Sequence, residues 1–223
     1  MTGGDLLHQR FARWSTSLVS DVLGDVGRAN QVIAPTIRAT APVVGTTAGW
    51  AFTVAGRVDH DASGPDLVKA RAIDAMPAGA FAVWAGGDVV DVCLFGDLLA
   101  AAQRGRGVVG ALVDGGIRDS DAIHELAFPI WSRYVTPRAS TGVWRATDAD
   151  VAVELPGTLG TTVTVNPGDL VVADGDGAVV VAPDVIEAVA ERCDALLARE
   201  AAIRSRLDAG ESLTRLLQEH GRI

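Results

Sequence analysis

The chain has 223 residues, of which 48% are hydrophobic and 21% charged, a balance typical of a globular protein with a sizeable core. Its formal net charge is −9, its pI is about 4.8, and its basic residues form no cluster interleaved with aromatic side chains. These values argue against a nucleic acid as a direct ligand, because proteins that bind one present positive charge to its phosphates.

Hydrophobic periodicity and turn residues predict helices and strands in mixed order up to residue 95. In chain order these elements are a helix over 5–14, a helix beginning at Ser20 with Ser20 or Ser17 as its cap, one or two strands within 43–58, a helix over 65–75, a strand over 80–83 and a strand over 89–95. Gly86-Gly87-Asp88 is expected to join the last two strands as a hairpin.

The second half of the chain is predicted to contain more strands than long helices. Its elements are a helix over 120–126, a strand over 129–134, a loop over 137–148, short strands over 151–153, 161–165, 170–173 and 178–181, a long helix over 183–209 that ends at Gly210, and a last helix capped by Ser212. Turn sequences at 166–169 and 174–177 separate the last three strands. The sequence therefore predicts one mixed α/β domain over residues 1–223.

The sequence contains no signal peptide and no apolar run of membrane-spanning length, so we expect a cytoplasmic protein that has no membrane partner. The two cysteines, Cys93 and Cys193, lie far apart in apolar segments, which favours buried thiols. Lys69 is the only lysine and lies in a polar helical segment. A Schiff-base enzyme would need this residue, so the composition favours other chemistry.

The central stretch from Gly96 to Asp121 is the most informative part of the sequence. Gly96 and Asp97 open a short helix, residues 108–113 form a buried strand, and Asp114-Gly115-Gly116 is predicted to be a tight turn at the end of that strand. Ligands of open α/β sheets bind just outside the carboxyl ends of strands. We therefore expect the residues that follow this turn to face a ligand.

Carboxylates, a guanidinium and free backbone amides are predicted to converge at this place. Arg118 and Asp119 lie just past the strand, and Asp97 lies at the mouth of the preceding helix. The first N–H groups of that helix, from Leu98 and Leu99, have no intrahelical partner. This set suits a hard divalent cation and a small carboxylate ligand. The alternatives are that Asp97 only caps its helix and that Arg118 only forms a surface ion pair.

One histidine lies near this stretch. His124 follows Asp119 by about one helical turn, so it faces either the same site or solvent. The Asp-Gly-Asp-Gly sequence at 174–177 is similar to part of a calcium loop, but it lacks the downstream glutamate at the required spacing. A hairpin turn is the favoured interpretation of these four residues.

The motifs around the central stretch resemble the RraA-like family. Gly-Asp-Leu-Leu at 96–99 and Gly-Val-Val-Gly-Ala-Leu-Val-Asp-Gly-Gly-Ile-Arg-Asp at 107–119 are similar to segments of this family, which includes the class II aldolases that cleave 4-hydroxy-4-methyl-2-oxoglutarate and 4-carboxy-4-hydroxy-2-oxoadipate. The family signature is an Asp, a gap of twenty residues and Arg-Asp. Residues 98–117 form that gap here, between Asp97 and Arg118-Asp119. The similarity extends to 20–23 and to 167–183 and covers most of the chain.

The resemblance implies a fold and an assembly. The fold is a mixed α/β fold with a β/β/α swivelling-domain-like sheet, a helical N-terminus and a long C-terminal helix. The assembly is a trimer or a dimer of trimers with sites between subunits, so the helix over 183–209 is expected at a subunit interface. A glutamate from the neighbouring subunit's C-terminal helix is expected in the site. Glu200 is the first choice for it and Glu191 the alternative.

The resemblance also implies roles for the central residues. Asp119 would bind Mg²⁺ or Mn²⁺ directly, and Asp97 would hold the same ion through water. Arg118 and the backbone amides of Leu98 and Leu99, next to Gly96, would bind the pyruvyl part of the substrate.

The activity implied is a metal-dependent cleavage of a 4-hydroxy-2-oxo acid to pyruvate and a second carbonyl compound, with decarboxylation of oxaloacetate as a side reaction. The alternative function is regulation of ribonuclease E. Some relatives regulate this enzyme by binding it, and those relatives lack the complete Asp and Arg-Asp set. An old methyltransferase label of the family has no support, because no glycine-rich strand–loop–helix for S-adenosylmethionine is visible. The chain departs from the family in the loop over 137–148, with Trp144, and at Ala178, and we expect that loop to shape substrate choice.

Overall fold

A computed structural model of the chain describes residues 3–61 and 63–221. The helices are α1 (Gly3–Phe11), α2 (Thr16–Asp25), α3 (Leu67–Ala75), α4 (Asp97–Gly105), α5 (Ser120–Glu125), α6 (Ile186–Asp208) and α7 (Leu213–His220). The strands are β1 (Arg38–Ala39), β2 (Thr47–Val58), β3 (Ala80–Ala85), β4 (Cys93–Phe95), β5 (Gly110–Ile117), β6 (Ile130–Val135), β7 (Trp144–Ala149), β8 (Val153–Pro156), β9 (Thr162–Val165), β10 (Leu170–Ala173) and β11 (Ala178–Val181).

A mixed sheet organises the described residues. Its order is β1-β6-β5-β3-β2-β10-β11, with β4 paired to β5 and β7 paired to β2, and β8 and β9 form a separate hairpin. The central pairs β2–β3, β3–β5, β4–β5 and β5–β6 are parallel, whereas the outer pairs are antiparallel. Parallel neighbours need crossover connections, and α3, α4 and α5 lie within them. The mixed α/β fold with helical ends is thus confirmed.

Side chains of the central strands alternate between two cores, as the two-residue period of a strand requires. In β3, Ala82 and Trp84 face the core beneath α3 and α4, and Phe81 and Val83 face the core beneath the β8–β9 hairpin. Trp84 also fixes α4, because its Nε1 donates to the Oε1 of buried Gln103 at 3.2 Å. This bond holds the helix that starts at Asp97 against the sheet.

The terminal helices cover the β10–β11 end of the sheet. Phe11, Leu23 and Cys193 are buried in a third core with residues of β10 and β11. The N-cap of α2 is Ser15, whose hydroxyl accepts from Leu18 N at 3.3 Å, so the prediction of Ser17 or Ser20 was wrong. The apolar pattern of α1 runs through Phe11, close to Ser15, so the sequence did not indicate that a new helix begins right after Ser15.

The Asp-Gly-Asp-Gly sequence forms the predicted hairpin turn between β10 and β11. Ala173 and Ala178 face each other across it, and the Asp174 carboxylate accepts from Thr16 N at 2.8 Å and from Thr16 Oγ1 at 2.7 Å. The carboxylate is therefore used to attach the start of α2 to the sheet. Both cysteines are buried free thiols, as expected.

Two strand predictions were wrong. No hairpin joins β3 to β4 in the described chain, because β4 pairs with β5 in parallel. Asp114-Gly115-Gly116 is part of β5 and is not a turn. The glycines serve close packing: a Cβ on Gly116 would lie 2.8 Å from both Tyr134 Cδ2 and the Val92 carbonyl oxygen.

The segment predicted as a loop over 137–148 ends in a strand. Trp144 begins β7, which pairs with β2, and its Nε1 donates to the Gly86 carbonyl at 3.0 Å. The indole ring occupies the space that a side chain at Gly56 would need. A bulky residue therefore forms a strand here because a glycine on the neighbouring strand makes room for it. In the residues that the structure describes, no helix is long and apolar enough to cross a membrane.

Candidate functional site

The candidate site lies where two parallel strands end at the same edge of the sheet. β4 ends at Phe95 and leads into α4, and β5 ends at Ile117 and leads into α5. The N–H of Arg118 donates to the Phe95 carbonyl at 3.2 Å, which joins the two connections. Asp97 and the Arg118-Asp119 pair are thereby brought together, although 20 residues lie between them in sequence.

Gly96 leaves room for this approach. A Cβ on Gly96 would overlap Asp119 Oδ2 and would lie 2.8 Å from Arg118 Cγ. Gly96 is the N-cap of α4 and offers no side-chain bond to the helix. Its role is therefore to let both Arg118 and Asp119 contact the start of α4.

The carboxylates, the guanidinium and the helix start are connected by polar contacts. The N–H of Asp97 donates to Asp119 Oδ2 at 3.4 Å, and Arg118 Nε lies 3.2 Å from the same oxygen. Asp119 has a left-handed backbone, with φ 57° and ψ 39°, and is the N-cap of α5 without a side-chain cap bond. Its carboxylate is thus turned away from its own helix and towards α4. Arg118 and Asp119 keep about 40% of their side chains exposed, so a ligand can reach both.

The start of α4 supplies two further N–H groups. The N–H of Leu98 donates to Asp97 Oδ1 at 2.8 Å. The first intrahelical bond of α4 joins Ala100 N to Gly96 O at 3.0 Å, so the N–H of Leu99 lies ahead of the helical hydrogen bonds. Oδ1 of Asp97 therefore contacts the start of its own helix, in line with the alternative interpretation of this residue. Its other oxygen, Oδ2, is left for the predicted role in ligand binding.

A cavity of about 230 Å³ opens at this edge. Its walls come from β4, the start of α4, α3 and the loop before β7, and they comprise Lys69, Cys93, Leu94, Phe95, Gly96, Asp97, Leu98, Leu99, Arg118, Ala139, Ser140 and Thr141. All the predicted central residues except Asp119 line it. The loop that was expected to shape substrate choice contributes its first residues.

Lys69 is the functional candidate that sequence reasoning passed over. It was placed on a polar helical segment, but its side chain is buried and its Nζ donates to the Leu94 carbonyl at 2.7 Å. Burial lowers the pKa of the Lys69 ammonium, and nearby Asp66 opposes that shift. The sequence did contain one indication of its position, which is the N-cap residue Asp66 three residues earlier. The N–H of Lys69 donates to Asp66 Oδ1 at 3.0 Å, which sets where Lys69 lies on α3.

Three predicted or alternative residues do not line this cavity. Glu200 belongs to a surface recess on α6 beside Arg204 and Asp208, and Glu191 is exposed on the same helix. His124 lines a separate cavity between α5 and the segment before β2. Within one described chain, the carboxylates at the site are therefore Asp97 and Asp119.

The oxygen donors at the site fit a hard cation that takes only one or two of its ligands from the protein. No group of three or more His, Cys, Asp or Glu side chains that could hold a metal occurs among residues 3–61 and 63–221. Mg²⁺ keeps several waters and is commonly bound by one or two carboxylates together with oxygens of the substrate. Asp97 and Asp119 match that requirement and do not match a closed structural metal site.

Comparisons with known proteins add the family. A profile of the RraA-like family, described as Aldolase/RraA, matches residues 16–180. The chain belongs to the RraA-like family. The match contains the whole site, from Lys69 to Thr141, and it ends within β11, before the C-terminal helices.

Two relatives are similar to this chain in sequence. A Halalkalibacterium halodurans protein, provisionally named 4-hydroxy-4-methyl-2-oxoglutarate aldolase, is 31% identical over 175 residues, which are 77% of this chain and 74% of that protein. An uncharacterized Methanocaldococcus jannaschii protein is 29% identical over 127 residues, which are 57% of this chain and only 58% of that protein. The matched residues therefore span less than two thirds of the second relative.

A solved structure agrees with the fold. Streptomyces coelicolor RraAS2, described as an unusual member of the RNase ES inhibitor RraA protein family, superposes with a TM-score of 0.77 at 26% identity. The alignment covers 92% of this chain and 97% of that one. The RraA-like family thus includes relatives named as aldolases and relatives named as ribonuclease inhibitors.

Proposed function

We propose that this RraA-like protein is a divalent-metal-dependent aldolase. It cleaves a 4-hydroxy-2-oxo acid to pyruvate and a second carbonyl compound and decarboxylates oxaloacetate as a side reaction. The single observation that supports this most is the junction at Gly96, where Asp119 contacts Arg118 and the N–H of Asp97, and where Asp97 and Arg118 line a cavity. A name given to a relative at 31% identity points to the same chemistry.

Each residue of the junction has a role in the proposal. Asp119 would hold Mg²⁺ or Mn²⁺ directly and Asp97 would hold it through water, since hard oxygen ligands suit these ions. When bound, such an ion supplies Lewis-acid polarisation of the 2-oxo group. Arg118 binds the pyruvyl carboxylate and oxo oxygen by a planar two-point contact, and the N–H of Leu99 donates to the same anion. The N–H of Leu98 would join it by exchanging its bond to Asp97 Oδ1 for one to the substrate.

The reaction follows from these contacts. The proton of the C4 hydroxyl leaves to a base, the C3–C4 bond breaks, and the electron pair of that bond moves to form the pyruvate enolate. Arg118 opposes the negative charge that grows on the enolate oxygen, an interaction that is stronger in the transition state than in the bound substrate. Asp97 lines the cavity and would orient a water through which this proton leaves.

A ribonuclease regulator is the second candidate, favoured by the name of the Streptomyces coelicolor neighbour. A regulator needs a surface that binds its protein partner, and this role does not require a cavity beside an exposed Arg-Asp pair. The complete Asp97, Arg118 and Asp119 set therefore supports the enzyme.

Pyruvate release from a panel of 4-hydroxy-2-oxo acids and oxaloacetate, with and without Mg²⁺, tests the proposal. We expect EDTA to abolish release and Mg²⁺ or Mn²⁺ to restore it, because the two carboxylates suit those ions. Full activity in EDTA would contradict the proposal. So would loss of activity only after borohydride treatment with pyruvate, which would assign the chemistry to a Schiff base on Lys69.

We also propose that residues 1–223 form one domain that assembles into a trimer or hexamer. Leu197, Leu207 and Leu217 of α6 and α7 remain more than a third exposed in the single chain, which supports burial of these helices against a second copy. Glu200 would then enter the site of the neighbouring subunit. Light scattering should give a trimer or a multiple of it, and a monomer at every concentration would rule out both the assembly and the role of Glu200.

A further inference from the structure

Lys69 separates two cavities that share a wall. The first is the 230 Å³ cavity beside Asp97, and the second, of about 180 Å³, lies between α3 and the start of β7. Lys69, Ser140 and Thr141 line both. Lys69, of which only 8% is exposed, therefore lies between two cavities, and the first of them is also lined by Arg118.

The chain's own groups satisfy this ammonium only in part. Of its three donors, one reaches the Leu94 carbonyl at 2.7 Å. Asp66 Oδ2 is 3.9 Å away, beyond hydrogen-bond distance, and the Trp144 ring lies 5.0 Å from Nζ. Both Asp66 oxygens are already used by backbone N–H groups, Oδ1 by Lys69 at 3.0 Å and Oδ2 by Ala146 at 2.9 Å.

The electrostatic balance agrees with that geometry. Burial lowers the pKa of Lys69, and the opposing effect of Asp66 does not cancel it. A buried cation is normally paired with an anion, because the charge loses the solvation of water. The cavity beside Nζ thus suits an anionic group that comes with a ligand.

Two cations act on the space between them. Cys93 lies in the wall of the first cavity, where burial raises the pKa of its thiol against the opposing effects of Arg118 and Lys69. Cys93 is therefore a neutral thiol in a cavity wall to which Lys69 and Arg118 also belong. A ligand in this cavity can therefore contact two positive groups, Lys69 and Arg118.

We propose that Lys69, with the hydroxyls of Ser140 and Thr141, forms a second anion subsite that binds a carboxylate on the half of the substrate that departs from pyruvate. The inference rests on the proposed function. A second carboxylate is already present in the substrate named for the Halalkalibacterium halodurans relative, and the new assignment is the residue that recognises it. Lys69 is then a specificity-determining residue outside the Asp97 and Arg118-Asp119 signature. Its contacts with Leu94 and Trp144 hold it in place for this task.

Binding of two unreactive 2-oxo acids of equal length in the presence of Mg²⁺ tests this subsite. Calorimetry should show that 2-oxoglutarate binds about ten- to a hundredfold more tightly than 2-oxopentanoate, as expected for a hydrogen bond to a charged group. Lys69→Met should remove this preference and change 2-oxopentanoate affinity by less than about threefold. Arg71→Met, an exposed basic residue on the same helix, should leave the preference intact.

A second measurement uses the wild-type protein and does not depend on the folding of a variant. Because Lys69 is the only lysine, amine acetylation followed by mass spectrometry of the tryptic peptides reports on it alone. We expect 2-oxoglutarate to protect Lys69 at concentrations at which 2-oxopentanoate does not. Equal protection by both acids, or an unchanged preference in Lys69→Met, would overturn the subsite and leave Lys69 as a structural link between α3 and β4.

The two proposals fail separately. A wild-type protein that prefers 2-oxoglutarate but releases no pyruvate from any 4-hydroxy-2-oxo acid would retain the subsite and lose the proposed aldolase. A protein that releases pyruvate with Mg²⁺ but shows no preference for the second carboxylate would retain the aldolase and lose the subsite.

Discussion

Asp119→Ala should lower kcat/KM for pyruvate release by at least about a thousandfold, since a Lewis-acid metal contributes several kcal/mol of charge stabilisation and a factor of ten corresponds to about 1.4 kcal/mol. Asp119 contacts both the start of α4 and Arg118 through one oxygen, so its second oxygen is left for a cation. The residual activity should no longer respond to added Mg²⁺. Steady-state kinetics across a Mg²⁺ titration measures both effects.

Two variants separate the loss of the carboxylate from a change in the fold. Asp119 has a left-handed backbone, which alanine adopts less readily than asparagine, so Asp119→Asn keeps the conformation and removes only the charge. Asp121→Ala removes an exposed carboxylate in the first turn of the same helix and should leave kcat/KM within about twofold. Normal Mg²⁺-dependent turnover in Asp119→Asn would remove Asp119 from the metal site.

Arg118→Lys should lower kcat by about a hundredfold, the order seen when one preorganised donor to a developing oxyanion is lost. A guanidinium presents two parallel N–H groups to a carboxylate, and an ammonium cannot reproduce this planar contact. The melting temperature should stay close to that of the parent, because the Arg118 side chain is 43% exposed and, among the described residues, forms its ion pair with its neighbour Asp119. Kinetics and circular dichroism on the same samples give both quantities.

Arg104→Lys is the matched control for Arg118→Lys. Arg104 is an exposed arginine in the last turn of α4, away from the cavity, and its change should affect neither kcat nor stability. If Arg118→Lys instead melts well below the parent while its folded fraction turns over normally, then Arg118 is a structural ion-pair residue. The interpretation as a surface ion pair, left open by the sequence, would then be the correct one.

The parts of the fold that follow from short-range chemistry could be predicted from the sequence. The turn at 174–177, the strands around it and the end of α6 at Gly210 each depend on a few neighbouring residues, and the structure contains them. The proximity of Asp97 to Arg118 could also be predicted. Both follow the carboxyl ends of strands, and parallel strands bring those ends to one edge of the sheet.

The remaining features depend on residues that are distant in sequence. Strand β4 pairs with β5 and not with its neighbour β3, and Gly115-Gly116 lies inside β5 because Leu94 and Tyr134 pack against it. The burial of Lys69 depends on Asp66, Leu94 and Trp144 together, which lie in three different elements. The apolar residues of α3 do not reveal its buried face, because Leu67 is 53% exposed while Lys69 is buried.

Equilibrium binding of Mn²⁺, followed by electron paramagnetic resonance, tests most directly whether Asp97, Arg118 and Asp119 form a metal-dependent site for a 2-oxo acid. The wild-type chain should bind one Mn²⁺ per subunit. Pyruvate should alter the spectrum of the bound ion, because the proposal has both bind in the same site. Asp119→Asn should lose this binding, whereas Asp121→Ala should keep it. Equal Mn²⁺ binding by the wild type and Asp119→Asn, or no binding by either, would contradict the proposed site.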